Sequence, residues 1–313
     1  MSAQREAGFY MAGRSIKNAV KQHWQLYALL LLPVTYLIIF NYLPMFGIQL
    51  AFKDFMAVRG IWGSPWKGFK HFSRFFNSPS SLEIIYNTAF IGLYQVVAGF
   101  PMPILLAITL NETKRKFLAN TVQMVTYTPY FISTVVMVSM IFQLLDTRVG
   151  IMGMLGSAFG FTPVNLMTKA QYFSSIYVWT GIWQYTGYSA IIYVAALSGV
   201  SSELQEASII DGATRMQRIW HVDLPHIRQT IILVLLFNLG SVMNVGFEKV
   251  FLMQNPLNSS TSEVIATYIY KVGLVSADYS FSTAIGLLNS LINMSILLLV
   301  NYTARKISDT SLW

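Results

Sequence analysis

The 313-residue chain contains no cysteine. Disulfides, cysteine-ligated zinc, iron–sulfur clusters and thiol catalysis are therefore excluded. Charge is scarce as well. Asp, Glu, Lys and Arg make up 11% of the residues and hydrophobic types 54%, whereas an ordinary soluble domain carries about 25% charged residues. A soluble fold of this composition would have too little polar surface to stay in solution. No G-x-x-x-x-G-K-[ST] phosphate loop occurs. The histidines His23, His71, His221 and His226 form no H-E-x-x-H pair, and no G-x-S-x-G elbow is found. The chain thus offers neither an ATP-hydrolysing motif nor a recognisable catalytic constellation, so energy for uphill work has to come from another subunit.

What the sequence does have is long apolar runs. Trp24–Phe52, Ile84–Asn111, Phe117–Leu145, Tyr172–Ser202, Gln229–Phe247 and Tyr279–Ala304 contain no Asp, Glu, Lys or Arg. About 20 residues of helix cross the hydrocarbon, and a helix satisfies its own backbone hydrogen bonds there. Continuous runs such as Leu29–Leu32 and Ile231–Phe237 lack the alternation of a barrel strand. The expectation is an all-α membrane protein with six transmembrane helices. Residues 1–23 form a cytoplasmic N-terminal segment, 24–304 the membrane domain and 305–313 a cytoplasmic tail. The first apolar run has no small-residue cleavage site after it and reads as a retained span.

The net charge of +8 falls between the apolar runs, which suits anionic lipid rather than nucleic acid. With both termini inside, the cytoplasmic side holds Arg5, Arg14, Lys17, Lys21, Lys114, Arg115, Lys116, Arg215, Arg218, Arg228, Arg305 and Lys306. That is twelve basic residues against nine outside, the direction the positive-inside rule requires. The first outer loop is basic too, and its Gly60-Ile61-Trp62-Gly63-Ser64-Pro65-Trp66 stretch predicts an ordered segment at the outer interface. Pro33, Pro101, Pro103 and Pro129 predict kinks within spans. The absence of carboxylates, lysine and arginine from the runs argues against an ion-coupled carrier, which places such groups near the midplane. Glu248 and Lys249 are expected at the outer interface.

The fourth and fifth runs are joined by residues 203–226, which read as a helix, a glycine break and a second helix. Ser201 and Ser202 can cap the first helix, and Glu203 and Glu206 suit its N-terminal dipole. Ala207 and Ser208 are small, Gly212 permits a sharp turn, and Met216, Ile219 and Trp220 recur at helical spacing. Pro225 is expected to end the segment. Glu206-Ala207-Ser208, Gly212 at the seventh position counted from the glutamate, and Val222-Asp223-Leu224-Pro225 ending at the twentieth resemble the E-A-A signature of binding-protein-dependent ABC importer permeases. Asp211-Gly212-Ala213 matches its extended form. Ser208 stands for the second alanine and Val222 for the usual isoleucine. Tyr36–Gly47, Ala51–Phe55, Phe69-Lys70-His71-Phe72, Phe75-Phe76 and Asn87-Thr88 are similar to the polysaccharide and oligosaccharide branch.

The resemblance implies a cytoplasmic coupling helix between spans four and five that docks on an ATPase subunit. Glu206, Ala207, Ser208, Asp211, Gly212, Ala213, Leu224 and Pro225 would form or shape that contact. It implies a second related permease in a heterodimer, two ATPase subunits that bind the ATP and Mg, and an extracellular solute-binding lipoprotein. No cofactor is expected in this chain. The expected setting is the bacterial inner membrane.

A sugar path needs aromatic faces and uncharged hydrogen-bonding groups. Trp179, Trp183, Gln184 and Tyr188 in the fourth run, with Tyr185 beside them, are candidates. So are Asn238 and Asn244, with Ser241, in the fifth and Asn289 and Asn293 in the sixth. Gln184 and Tyr188 are four apart, which places them on one face. Such residues also serve as interhelical glue. The basic outer loop suits an acidic oligosaccharide, and equally lipid or the binding protein. An ABC permease for another solute, and an ion-coupled carrier, stay open at this point.

Overall fold

The structure is a computed structural model that describes residues 21–308. Arg5, Arg14 and Lys17, most of the expected 1–23 segment and residues 309–313 of the expected tail lie outside the described residues. Among the described residues the fold is helical, with one antiparallel bridge, Lys53 to Trp66, and no strand. The chain divides into two compact units, one ending at Gly68 and the other beginning at Phe69.

The first unit carries helix α1 (Trp24–Phe52), which changes pitch twice. It widens to a π-turn over Ile38–Tyr42 and tightens to a 3-10 helix over Phe46–Phe52. The π-turn lies directly before Leu43-Pro44. Proline has no N–H and its ring clashes with the carbonyl four residues back, and the wider turn moves that carbonyl aside. Beyond α1 the Gly/Trp stretch is ordered around Lys53. Its Nζ donates to Gln49 Oε1 at 2.8 Å and to the Ile61 carbonyl at 2.9 Å, and lies 5.0 Å from the Trp66 ring centroid. This basic residue of the first loop is thus engaged within its own unit.

The second unit packs around a long helix. Helix α2 (Ser81–Asn111) runs on through Pro101 and Pro103. Helices α3 (Lys116–Phe131) and α4 (Thr134–Leu145) follow, then α5 (Ala170–Leu197) and the short α6 (Ser202–Ile210). Next come α7 (Arg215–Gly240), α8 (Phe247–Met253), α9 (Ile265–Val275) and α10 (Tyr279–Ser308). Helix α5 takes part in two of the three buried clusters. Its Phe173, Tyr177 and Val178 pack with Ile91, Met137, Ile141, Val250 and Met253. Its Ala190, Tyr193 and Leu197 pack with Ala107 and Ile227. A third cluster joins Phe75, Ile84, Met243, Ile265, Phe281 and Ile285. At Gly187 a Cβ would sit 2.0 Å from the Thr126 carbonyl oxygen, so glycine is what lets α3 reach α5.

Four helices, α1, α2, α7 and α10, are long and apolar enough to cross a membrane, and a fifth crossing results if α3 and α4 count as one. Several sequence expectations change here. The run Phe117–Leu145 does not form a straight span: α3 and α4 meet at a 102° bend. Pro129 lies in a 3-10 turn, and Ser133 restarts the helix by accepting from Val136 N–H. Neither arm alone reaches the ~20 residues of a crossing. The run Gln229–Phe247 is shifted: its helix starts at Arg215 and stops at Gly240. Pro225 does not end the segment between α5 and the fifth run, because a π-turn over Ile219–Asp223 carries the helix past Leu224-Pro225, as at Leu43-Pro44. The fourth run forms a 28-residue helix that ends at Leu197. It is long enough to cross but is not among the helices apolar enough by composition.

Candidate functional site

Two features stand apart from ordinary helix packing: a polar stripe on α5, and the loop between α5 and α7. The stripe is Tyr177, Gly181, Tyr185, Ser189 and Tyr193, spaced four residues apart, so each is the neighbour of the next and the row winds about 160° around the helix over its length. At 1.5 Å per residue it spans about 24 Å, most of a ~30 Å hydrocarbon layer. Two cavities open on it. One, about 130 Å³, is lined by Gln95, Phe100, Tyr185, Ser189, Tyr193 and Asn238, among others. The other, about 360 Å³, is lined by Gln95, Thr134, Tyr177, Tyr185, Asn244 and Lys249, among others. Gln95, Gly181 and Tyr185 line both, so the cavities adjoin. The buried Tyr193 hydroxyl has no hydrogen-bond partner among the described residues. The tract offers aromatic rings, hydroxyls and amides, the groups that bind a polar, uncharged ring through its faces and edges.

Of the eight path residues taken from the sequence, Asn238 and Asn244 line these cavities. Gln184 is only 2% exposed, and its Nε2 donates to the Ile132 carbonyl at 3.0 Å, at the break between α3 and α4. Tyr188 is exposed and stacks on Tyr130 with ring centroids 3.8 Å apart. Gln184 and Tyr188 therefore have different surroundings despite their spacing. Trp179 and Trp183 are exposed, with Trp179 Nε1 donating to the Tyr94 hydroxyl at 3.0 Å. Asn289 and Asn293 both donate to Asn244 Oδ1, at 3.2 and 3.0 Å, and Asn293 Oδ1 accepts from the Met243 N–H. This triad joins α10 to the turn after α7. Sequence reasoning missed Gln95, Tyr177, Gly181, Ser189 and Tyr193. The signal was there: a four-residue recurrence of Tyr, Gly and Ser along an otherwise apolar run. Lys249 was expected at the interface but is 7% exposed and lines the larger cavity.

In the loop, Ser201 caps α6 by accepting from the Glu203 N–H. The helix ends in a Schellman turn: Gly212 N–H donates to Ile209 and Ala213 N–H to Ser208. Gly212 has φ +78°, which L side chains adopt at a cost of about 1–2 kcal/mol. Thr214 and Gln217 then form a capping box that opens α7. Glu206 and Ala207 are exposed, as are Leu204, Ile209, Ile210, Met216 and Trp220. Ser208, Asp211, Gly212 and Ala213 line a groove of about 310 Å³ with Gln217, Arg218 and His221. Leu224 packs inward against the lower α5 cluster, while Pro225 is exposed. Behind the loop, Gln205 Nε2 donates to buried Asp223 Oδ1 at 2.7 Å. Arg218 reaches both Gln205 Oε1 and Glu112 Oε2 at 3.4 Å. The loop helix, the start of α7 and the end of α2 are tied together in this way.

An apolar helical bundle with a capped, exposed helix–glycine–helix loop is the architecture of a transporter's membrane subunit. Residues 99–309 match the family described as binding-protein-dependent transport system inner membrane component, and the chain belongs to that family. It is a multi-pass membrane protein. Over 312 residues it is 36% identical to Protein LplB of Bacillus subtilis (strain 168), covering 99% of this chain and 98% of that one. It is also 36% identical over 292 residues to the polygalacturonan/rhamnogalacturonan transport system permease protein YteP of the same organism, covering 93% and 91%. A chain in the crystal structure of a bacterial ABC transporter involved in the import of the acidic polysaccharide alginate superposes with a TM-score of 0.86 at 36% identity. That match covers 94% of this chain and 99% of the other. The same values hold for that transporter in complex with an alginate pentasaccharide-bound periplasmic protein.

Proposed function

We infer that this chain is the permease subunit of an ATP-driven importer of oligosaccharides, and that the α5 stripe is its half of the translocation path. The observation that carries the reading is the stripe itself. It supplies about 24 Å of hydroxyl and aromatic groups inside an apolar bundle, flanked by two adjoining cavities to which Gln95, Asn238 and Asn244 add amides. The YteP relative and the alginate importer both handle acidic sugar chains by their descriptions, which supports an acidic oligosaccharide as cargo.

The crossing helices in this reading are α1, α2, the bent pair α3–α4, α5, α7 and α10; six crossings give both termini one side, and the excess of Lys and Arg supports the cytoplasmic one. Helix α5 belongs among them despite its polarity, because the polar groups of its stripe line cavities, where such groups are tolerated at membrane depth. Helix α6 is the coupling helix. Glu206, Ala207, Ser208, Asp211, Gly212 and Ala213 present the exposed contact to an ATPase subunit, while Leu224 and Pro225 fix where the loop joins α7. The ATPase pair binds ATP and Mg, a second related permease completes the path, and an extracellular binding protein delivers the sugar. The periplasmic protein bound to the alginate importer supports that last partner. ATP binding moves α6, and the Gln205–Asp223 and Arg218–Glu112 links pass the motion to α7 and α2. The two access states are then biased by differential contact.

Co-purification from native membranes, with mass spectrometry of the bound proteins, tests the reading. Wild type should bring down an ATPase and a second permease. Gly212→Arg should lose the ATPase and keep the permease. A chain that purifies alone and still transports would overturn it.

A further inference from the structure

We propose that Lys249 is the point in the translocation path that recognises a carboxylate of the sugar, so that this chain itself selects for uronic-acid residues. The proposal rests on the reading of the α5 stripe as a sugar path and adds a charge preference to it. Lys249 is 7% exposed and lines the 360 Å³ cavity beside Gln95, Thr134, Tyr185 and Asn244. Its Nζ donates to the Tyr177 carbonyl at 2.9 Å and lies 4.8 Å from the Tyr177 ring centroid. Nζ lies over Gly181, where a Cβ would stand 3.4 Å from it, at ordinary contact distance.

Among the described residues no carboxylate lies within salt-bridge distance of Lys249, although Arg74, Arg218 and Lys271 all have carboxylate partners. An ammonium carries three donors, and one is given to Tyr177. Burying a cation without a counter-ion is costly, and such a group among membrane helices marks a substrate or ion pathway. The surrounding groups are uncharged except Glu248. That residue lines the same cavity but is exposed, so water and salt screen it, whereas the buried ammonium keeps its field. A carboxylate entering the cavity would gain a charge-assisted hydrogen bond. A neutral sugar in the same place gains no such pairing with the ammonium.

The test uses the complete transporter with its own partner subunits and binding protein in proteoliposomes. The probes are trigalacturonate, trimannuronate, their methyl esters and neutral arabinotriose. Each uptake rate is divided by the binding protein's measured affinity for that probe, which removes the selectivity contributed by delivery. Wild type should carry at least one acid about tenfold faster than its ester. Lys249→Met should bring that ratio close to one, and Lys249→Arg should preserve it.

A Met variant that slows acid and ester equally would make Lys249 a packing residue and overturn the proposal. A wild-type ratio near one would overturn it without any variant, even if Lys249→Met fails to assemble. Uptake of arabinotriose alone would overturn it while leaving the importer reading intact. No uptake of any probe would remove the path reading as well.

Discussion

At the scale of single residues, the same chemistry serves packing in one place and lines cavities in another. Gln184 illustrates packing. Its amide satisfies the Ile132 carbonyl left free where the helix breaks between α3 and α4. Gln184→Leu should cost about 1–3 kcal/mol, the penalty of an orphaned buried acceptor. This would be read as a lower melting temperature of the detergent-solubilised complex with unchanged acid-to-ester selectivity. Asn244→Leu removes the acceptor shared by Asn289 and Asn293. At about 0.6 kcal/mol per membrane hydrogen bond, it should lower stability only slightly, but it should reduce uptake because Asn244 also lines the larger cavity. Asp146 sits beyond the end of α4. The N–H groups of Val149 and Arg148 hold its carboxyl below the usual carboxylate range. A carboxyl lowered in the folded state adds stability above its unfolded value, about 3.9, and loses it as pH falls through the folded value. The difference in melting temperature between wild type and Asp146→Asn should therefore shrink from about pH 6 to about pH 3.

At the scale of elements, two devices shape the helices: the π-turn before Leu-Pro and the capped break. Pro44 and Pro225 are carried through by widening the preceding turn, whereas Pro129 sits in a 3-10 turn that ends α3. Ser133 and Gln184 then satisfy groups on the far side of that break. The loop between α5 and α7 depends on its caps. Thr214→Ala removes the capping box at the start of α7 and should cost about 1 kcal/mol. Faster amide exchange over residues 215–218 would report it, together with more ATP hydrolysed per sugar moved. Retained exchange protection would show that tertiary contacts, not the cap, hold this end.

At the scale of the whole molecule, the apolar surface faces outward. The most apolar windows of α2, α7 and α10 are only 22, 17 and 17% buried, so most of that surface meets lipid or another subunit. Partners that bind the folded chain stabilise it by mass action. Expression of this chain alone should therefore give a lower melting temperature in detergent than co-expression with the second permease and the ATPase. Equal stability would argue that the outward surface is covered by lipid alone.

The sequence by itself determined the membrane class, the helical fold and the family. Hydrophobic runs and a twenty-residue loop signature are local patterns, and their physical meaning does not depend on what packs beside them. Gly212 is the clearest case: a glycine after a short capped helix asks for a left-handed turn, and its φ is +78°. Tertiary structure decided where a run breaks and which side of a helix meets a cavity. The uncharged run Phe117–Leu145 folds as two arms 102° apart: a 3-10 turn holding Pro129 ends the first, Ser133 caps the second, and Gln184 of α5 meets the Ile132 carbonyl at the break. Gln184 and Tyr188 have helical spacing, yet one is buried at that break and the other stacks on Tyr130. Lys249 follows the fifth apolar run in sequence, and only tertiary contacts, among them its hydrogen bond to the Tyr177 carbonyl of α5, turn it from an interfacial charge into a buried one. Spacing along a helix sets which residues are neighbours, and the surrounding helices set what those neighbours face.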